Sequence, residues 1–199
     1  QRHPELSKPD SQRIVLFAGG NSRIALALAG TADGESLAAL DDEQLLDRLF
    51  LTQRRQPDEA LHKVAGAAAL VSAMVVEPAE ELTILASLAR VDVEEFYAKL
   101  VDLQDRGLAQ QRGKQRAILP HALAARLAER TLSRAMPGLI EERLVHTAPE
   151  RLRVAFLKRL GLLHQNQAAV AIAGALLAPG QVYAVDRSSG TEAWEGLAN

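Results

Sequence analysis

Apolar residues at helical spacing, broken by glycine and proline, run through most of the chain. The stretch "SQRIVLFA" (residues 11–18) predicts a short helix, with Gly19 where a left-handed C-cap glycine ends one. Asn21 or Ser22 can cap the next helix, "RIALALA", which Gly30 closes. "ESLAALDDEQLLDRLF" sets Leu37, Leu40, Leu45, Leu46 and Leu49 at helical spacing and predicts a further helix. Residues 1–10, "QRHPELSKPD", hold two prolines and no periodicity, which suits an entry loop. Residues 1–57 thus form a small helical unit, too small to bury much core alone.

The pattern changes over residues 58–119. "DEALHKVAGAAALVSAMV" is nearly all apolar and predicts a buried helix, and "AEELTILASLA" predicts a second. A third is "DVEEFYAKLVDLQDRG", capped by Asp92 and ended by Gly107, with Val93, Phe96, Tyr97, Leu100 and Leu103 on one stripe. "LAQQRGKQRAILP" then offers two short alternating runs around a turn at Gly113, the pattern of a β-hairpin. Three helices followed by a hairpin is the order of a winged helix. A helix restarts from Pro120 with "HALAARLAERTL", so this unit spans 58–135. Residues 136–199 hold two more amphipathic helices, "PERLRVAFLKRLGLL" and "QNQAAVAIAGALLAP". They form an antiparallel connector that could start a helical repeat, although one pair is not an array. From "GQVYAVDRSSGTEAWEGLAN" onward the pattern fades into a loop or a cut helix. The expected fold class is mainly α.

Composition narrows the picture. A net charge of −2 exerts no overall pull toward nucleic acid or an anionic membrane. The absence of cysteine excludes disulfides and thiolate metal sites. No apolar run reaches the roughly 18–20 residues of a membrane span, and no signal peptide is visible. Because the sequence opens on Gln1 rather than methionine, it reads as a piece of a longer, cytoplasmic protein.

No complete active site is legible. The phosphate-binding pattern G-x-x-x-x-G-K-[ST] does not occur; the nearest candidate, Gly107 to Gly113-Lys114, is one residue too long and ends in Gln115. The histidines (His3, His62, His121, His146, His164) are scattered without metal-ligand spacing. The expected metal ligands and catalytic residues are therefore none.

"GGNSRIAL" (residues 19–26) has two readings. Locally it is a helix corner, with glycines for positive φ and Arg23 in solvent. It also resembles the sensor-2 corner of AAA+ and STAND-type ATPases, in the helical lid that follows their nucleotide-binding core, and the "GLPL" corner of NB-ARC ATPases. The resemblance implies that Asn21, Ser22 and Arg23 face a bound nucleotide, with Arg23 reaching the γ-phosphate. A delocalised, always-charged fork on a rigid helix suits that contact. Ser22 stands where the NB-ARC motif has a proline against the adenine.

A winged helix directly after such a lid is similar to the domain order of STAND signalling ATPases, NLR-like proteins included, and of DNA-acting AAA+ proteins. In the STAND group the helix after the wing opens on an "MHD" motif whose histidine contacts the β-phosphate of ADP. Here "AILPHALAARLA" places His121 at that point, with Ala122 in place of the aspartate. Read locally, His121 is an ordinary residue at the start of a helix. The stretch from "LVDLQDRG" to "LKRLGLLH" resembles the winged-helix and connector region of large bacterial STAND ATPases of conflict and antiphage systems. The resemblance implies an ATP/ADP switch whose Walker motifs and Mg²⁺ ligands lie in a core upstream of Gln1, gating nucleotide exchange and homo-oligomerisation.

Two other classes stay open. A DNA-binding AAA+ module would use the basic wing, Arg112, Lys114 and Arg116. Against it, the third helix of the unit carries Asp92, Glu94, Glu95, Asp102 and Asp105 against Lys99, so the expected partner of that face is protein rather than a duplex. The third class is a structural helical adaptor, with Arg23 and His121 as plain surface residues.

Overall fold

The computed structural model describes residues 6–32, 36–51, 56–136 and 138–176. The fold is mainly α with one small antiparallel sheet. The final "GQVYAVDRSSGTEAWEGLAN" lies outside the described residues.

Helix α1 (Lys8–Ala18) begins earlier than its apolar pattern, inside the expected entry loop. Ser7 caps it, accepting the Asp10 N–H, and Pro9 sits in the first turn where its missing N–H costs nothing. Asp10 is buried and accepts from the Ser36 hydroxyl and the Ala38 N–H, fixing the helix start to a 3₁₀ turn at Leu37–Ala39. Gly19 ends α1 in the left-handed region, at φ 55°. Asn21 caps α2 (Ser22–Ala29). The helix expected over 35–50 is broken in two. Leu40 and Asp41 are extended, and a reciprocal capping box between Asp41 and Gln44 starts α3 (Asp42–Arg48) afresh.

Residues 58–134 form a winged helix. Asp58 caps α4 (Glu59–Ala69), α5 spans Glu80–Ala89, and α6 spans Val93–Asp105 with Asp92 as its cap. The hairpin β2 (Ala109–Arg112) and β3 (Gln115–Ile118) turns at Gly113, φ 58°. A third strand, β1 (Met74–Val75), completes the sheet in the order β1-β3-β2, with Met74 opposite Arg116. The apolar helix read as continuing to Val75 therefore stops at Ala69. Two residues carry no periodicity, so β1 was invisible to a pattern reading. Tyr97, placed on the core stripe of α6, is 42% exposed; Phe96, Leu100 and Leu103 face inward.

Helix α7 (His121–Arg134) follows the hairpin and lies close along α4, Thr131 facing Gly66. A short helix α8 (Leu139–Glu141) runs into a π-helical turn (Glu142–His146), then α9 (Glu150–Gly161) and α10 (Gln167–Leu176). Leu28, Leu37 and Leu45 from the first unit, Leu70 and Phe96 from the winged helix, and Leu152 and Phe156 from the connector belong to one continuous core. Among the described residues no helix is long and apolar enough to cross a membrane.

Candidate functional site: the α1–α2 corner and the base of the hairpin

Gly19 and Gly20, both at positive φ (55° and 82°), reverse the chain between α1 and α2, a conformation a side chain would strain. The Asn21 Oδ1 then accepts from the Arg23 and Ile24 N–H groups, at 3.0 and 3.2 Å. Asn21 thus uses its acceptor on the helix and occupies the backbone donors that an anion would otherwise find there. What the corner presents outward is the Ser22 and Arg23 side chains, both exposed. Among the described residues no hydrogen bond or ion pair engages the Arg23 guanidinium. Val15 and Leu16 on α1 and Leu26 on α2, the helices either side of the corner, are 61%, 75% and 54% exposed.

The Arg23 stem leans on the winged helix. Its Cδ lies 3.7 Å from the point a Cβ on Gly107 would occupy, and Gly107 is the left-handed residue joining α6 to β2. The hairpin ladder pairs Ala109 with Ile118, and the Leu119 N–H donates to the Leu108 carbonyl at 2.9 Å. Gly107, one residue before Leu108, and Pro120, one residue after Leu119, therefore flank the same base of the hairpin. His121 comes next, exposed at the first position of α7 and, among the described residues, without a side-chain partner. The ladder thus sets Gly107, which the Arg23 stem faces, opposite Pro120, the residue before His121. Ala122 is exposed beside His121, so no carboxylate there orients the imidazole.

The helix that His121 opens also meets α3. Arg126, Arg130 and Arg134 recur every four residues along α7 and meet α3: Arg126 to Asp42 at 3.3 Å, Arg130 to Asp47 at 2.5 Å, Arg134 to Glu43 at 3.9 Å. Arg126 also stands 4.5 Å over the Phe17 ring. His62 on α4 stacks on Phe50 with ring centres 4.8 Å apart and Nδ1 3.7 Å from Asp47. Burial, then the Arg130 charge, holds the His62 pKa below its ordinary value. The i, i+4, i+8 arginine spacing and the acidic start of α3 are legible signals for this interface, at residues other than Arg23 and His121.

The wing offers less cation than its sequence suggests. Arg112 and Lys114 are exposed, and Lys114 lies 3.8 Å from Glu77. Arg116 points inward, 5% exposed, with Nε and Nη1 unpartnered, and is not presented to a duplex. Arg106 is spent on Asp102 and on the Leu51 carbonyl, tying the end of the lid to α6. The outward face of α6 shows Glu94, Tyr97, Val101 and Asp105. Among the described residues no group of three His, Asp or Glu side chains could hold a metal ion.

Arg23 and His121 can each give a donor to a phosphate oxygen, and Ser22 a hydroxyl. The residues fit the phosphate end of a nucleotide. They offer no proline against an adenine. Comparison with protein-family models, curated proteins and solved structures gives no match.

Proposed function

We propose that this chain is the helical lid, winged helix and first connector of a STAND-type ATP/ADP switch, a regulatory element rather than a catalyst. The observation that carries the reading is the placement of Arg23 against Gly107 at the base of the hairpin that leads to His121. Two exposed donors without partners, from the two motifs that resemble phosphate-contacting motifs, would meet one anion there. A P-loop core preceding Gln1 in the same polypeptide would supply the Walker motifs and Mg²⁺.

On this reading Arg23, on the rigid first turn of α2, reads the terminal phosphate of ATP. His121 holds the β-phosphate of ADP in the resting state. Each favours one nucleotide, and such differential contact is what lets a ligand move an equilibrium. Because α7 starts at His121 and carries the arginine row on α3, losing the His121 contact loosens the helix that clasps the lid. Release of that clasp would free the winged helix to turn and permit homo-oligomerisation, in cytoplasmic signalling of the antiphage kind.

The test is the nucleotide released on denaturing the purified polypeptide that carries this chain with its P-loop core. Wild type is expected to yield ADP, and His121→Ala about tenfold less, the loss of one hydrogen bond to a charged group. Equal nucleotide in both proteins, or none in either, would leave His121 a surface residue and favour the structural adaptor.

A further inference from the structure

A concave site lies where lid, winged helix and connector meet, and neither Arg23 nor His121 lines it. This groove of about 540 Å³ runs between the end of α3, α4, the C-terminal ends of α5 and α7, and Leu139 and Ile140. Its volume falls in the range of small-molecule sites, which favour such junctions. The His62–Phe50 stack forms one wall, and Leu88, Leu127, Met136 and Ile140 supply apolar lining.

Its charges are unevenly settled. Asp58 is held by Lys99 from outside the groove at 2.7 Å, Glu59 by Lys63 at 3.2 Å, and Asp47 by Arg130. One cationic donor remains. Arg90 lines the groove with no hydrogen bond or ion pair to its side chain among the described residues. It is also the one non-glycine residue at positive φ there, capping α5 at φ 59°, ψ 44°, where glycine would fit without strain. Keeping an arginine in that conformation retains a cation among the residues lining the groove.

We propose that this groove is a binding site for an amphipathic anion, a single carboxylate or phosphate carrying an apolar body, with Arg90 taking the anionic end. Bound there, such a molecule touches all three units at once and holds them in the arrangement seen here.

The probes are octanoate, octyl phosphate, 1-octanol and inorganic phosphate, titrated into the 199-residue chain and followed by amide shifts in two-dimensional NMR. Octanoate or octyl phosphate, whichever headgroup is preferred, is expected to saturate shifts at His62, Arg90, Thr131 and Leu139. Octanol and phosphate should bind about tenfold more weakly or not at all, each lacking one half of the recognition. Arg90→Gly removes the cation and relieves the left-handed strain, so it should melt no lower than wild type while binding the anion about tenfold more weakly. Arg90→Lys should recover most of the affinity. If Arg90→Gly binds as wild type does, if octanol competes equally, or if the shifts fall outside the groove, the proposal is wrong.

Discussion

His62 lies face to face with Phe50, and burial together with the Arg130 charge opposes its protonation, Asp47 being the one acidic neighbour that favours it. In the unfolded chain an imidazole takes up its proton near pH 6.5; in the folded protein it does so only at lower pH. Between those values the unfolded state binds more protons, so stability falls as pH drops below about 6.5 and keeps falling until the folded imidazole protonates. Melting temperatures at matched ionic strength should therefore decline from about pH 7 to about pH 5 in wild type and much less in His62→Leu. Equal declines would mean that His62 is not buried as described. Asp10, held down first by its hydrogen bond from Ser7, and Asp58, held down by Lys99 and the Leu61 N–H against the cost of burial, act lower. Their folded values are depressed, so the stability they give is present above about pH 4 and is lost below it.

Arg159 is the largest fully buried side chain, 1% exposed. Among the described residues only its Nη2 finds a partner, the Val71 carbonyl at 3.4 Å, and Nε and Nη1 find none. A buried guanidinium without a carboxylate opposes folding, and burial lowers its pKa. Arg159→Met should raise the urea midpoint, by a stability gain of about 1–3 kcal/mol. A lower midpoint would show that the charge is compensated.

Among the elements, α4 and α7 approach most tightly where Gly66 meets Thr131. A Cβ at residue 66 would stand 2.5 Å from the Thr131 Oγ1, which already donates to the Leu127 carbonyl at 2.7 Å. Gly66→Ala gains helix propensity but displaces that hydroxyl, and is expected to cost about 1–3 kcal/mol by denaturant melting. The double variant Gly66→Ala/Thr131→Ala should recover most of the loss; additivity of the two single effects would refute the contact.

At this scale the chain shows which signals are local. Gly19, Asn21, Asp92 and Gly113 sit where the pattern put them, because caps and turns are decided by neighbours a few residues away. The break at Leu40 was legible in Asp41-x-x-Gln44, a cap hidden inside a leucine pattern that favoured one long helix. Strand β1 and the inward turn of Arg116 were not, since both depend on pairing across the sheet. The candidate site divides the same way. Arg23 and its corner follow from four adjacent residues, whereas the approach to Gly107 needed the register of the hairpin.

Over the whole molecule, one core joins the three units, and the lid is clasped to α7 by the arginine row rather than standing apart. The proposed switch would use these contacts to link the start of α7 to α3. The claim rests on Arg23 and His121 meeting one nucleotide in two different states. The direct measurement is the affinity of the P-loop-bearing polypeptide for ADP and for a non-hydrolysable ATP analogue, in wild type, Arg23→Ala and His121→Ala. Arg23→Ala should weaken the ATP analogue about tenfold and leave ADP within about twofold, and His121→Ala should do the reverse. If both variants bind both nucleotides as wild type does, or lose both equally, the two residues do not report nucleotide state and the switch reading fails.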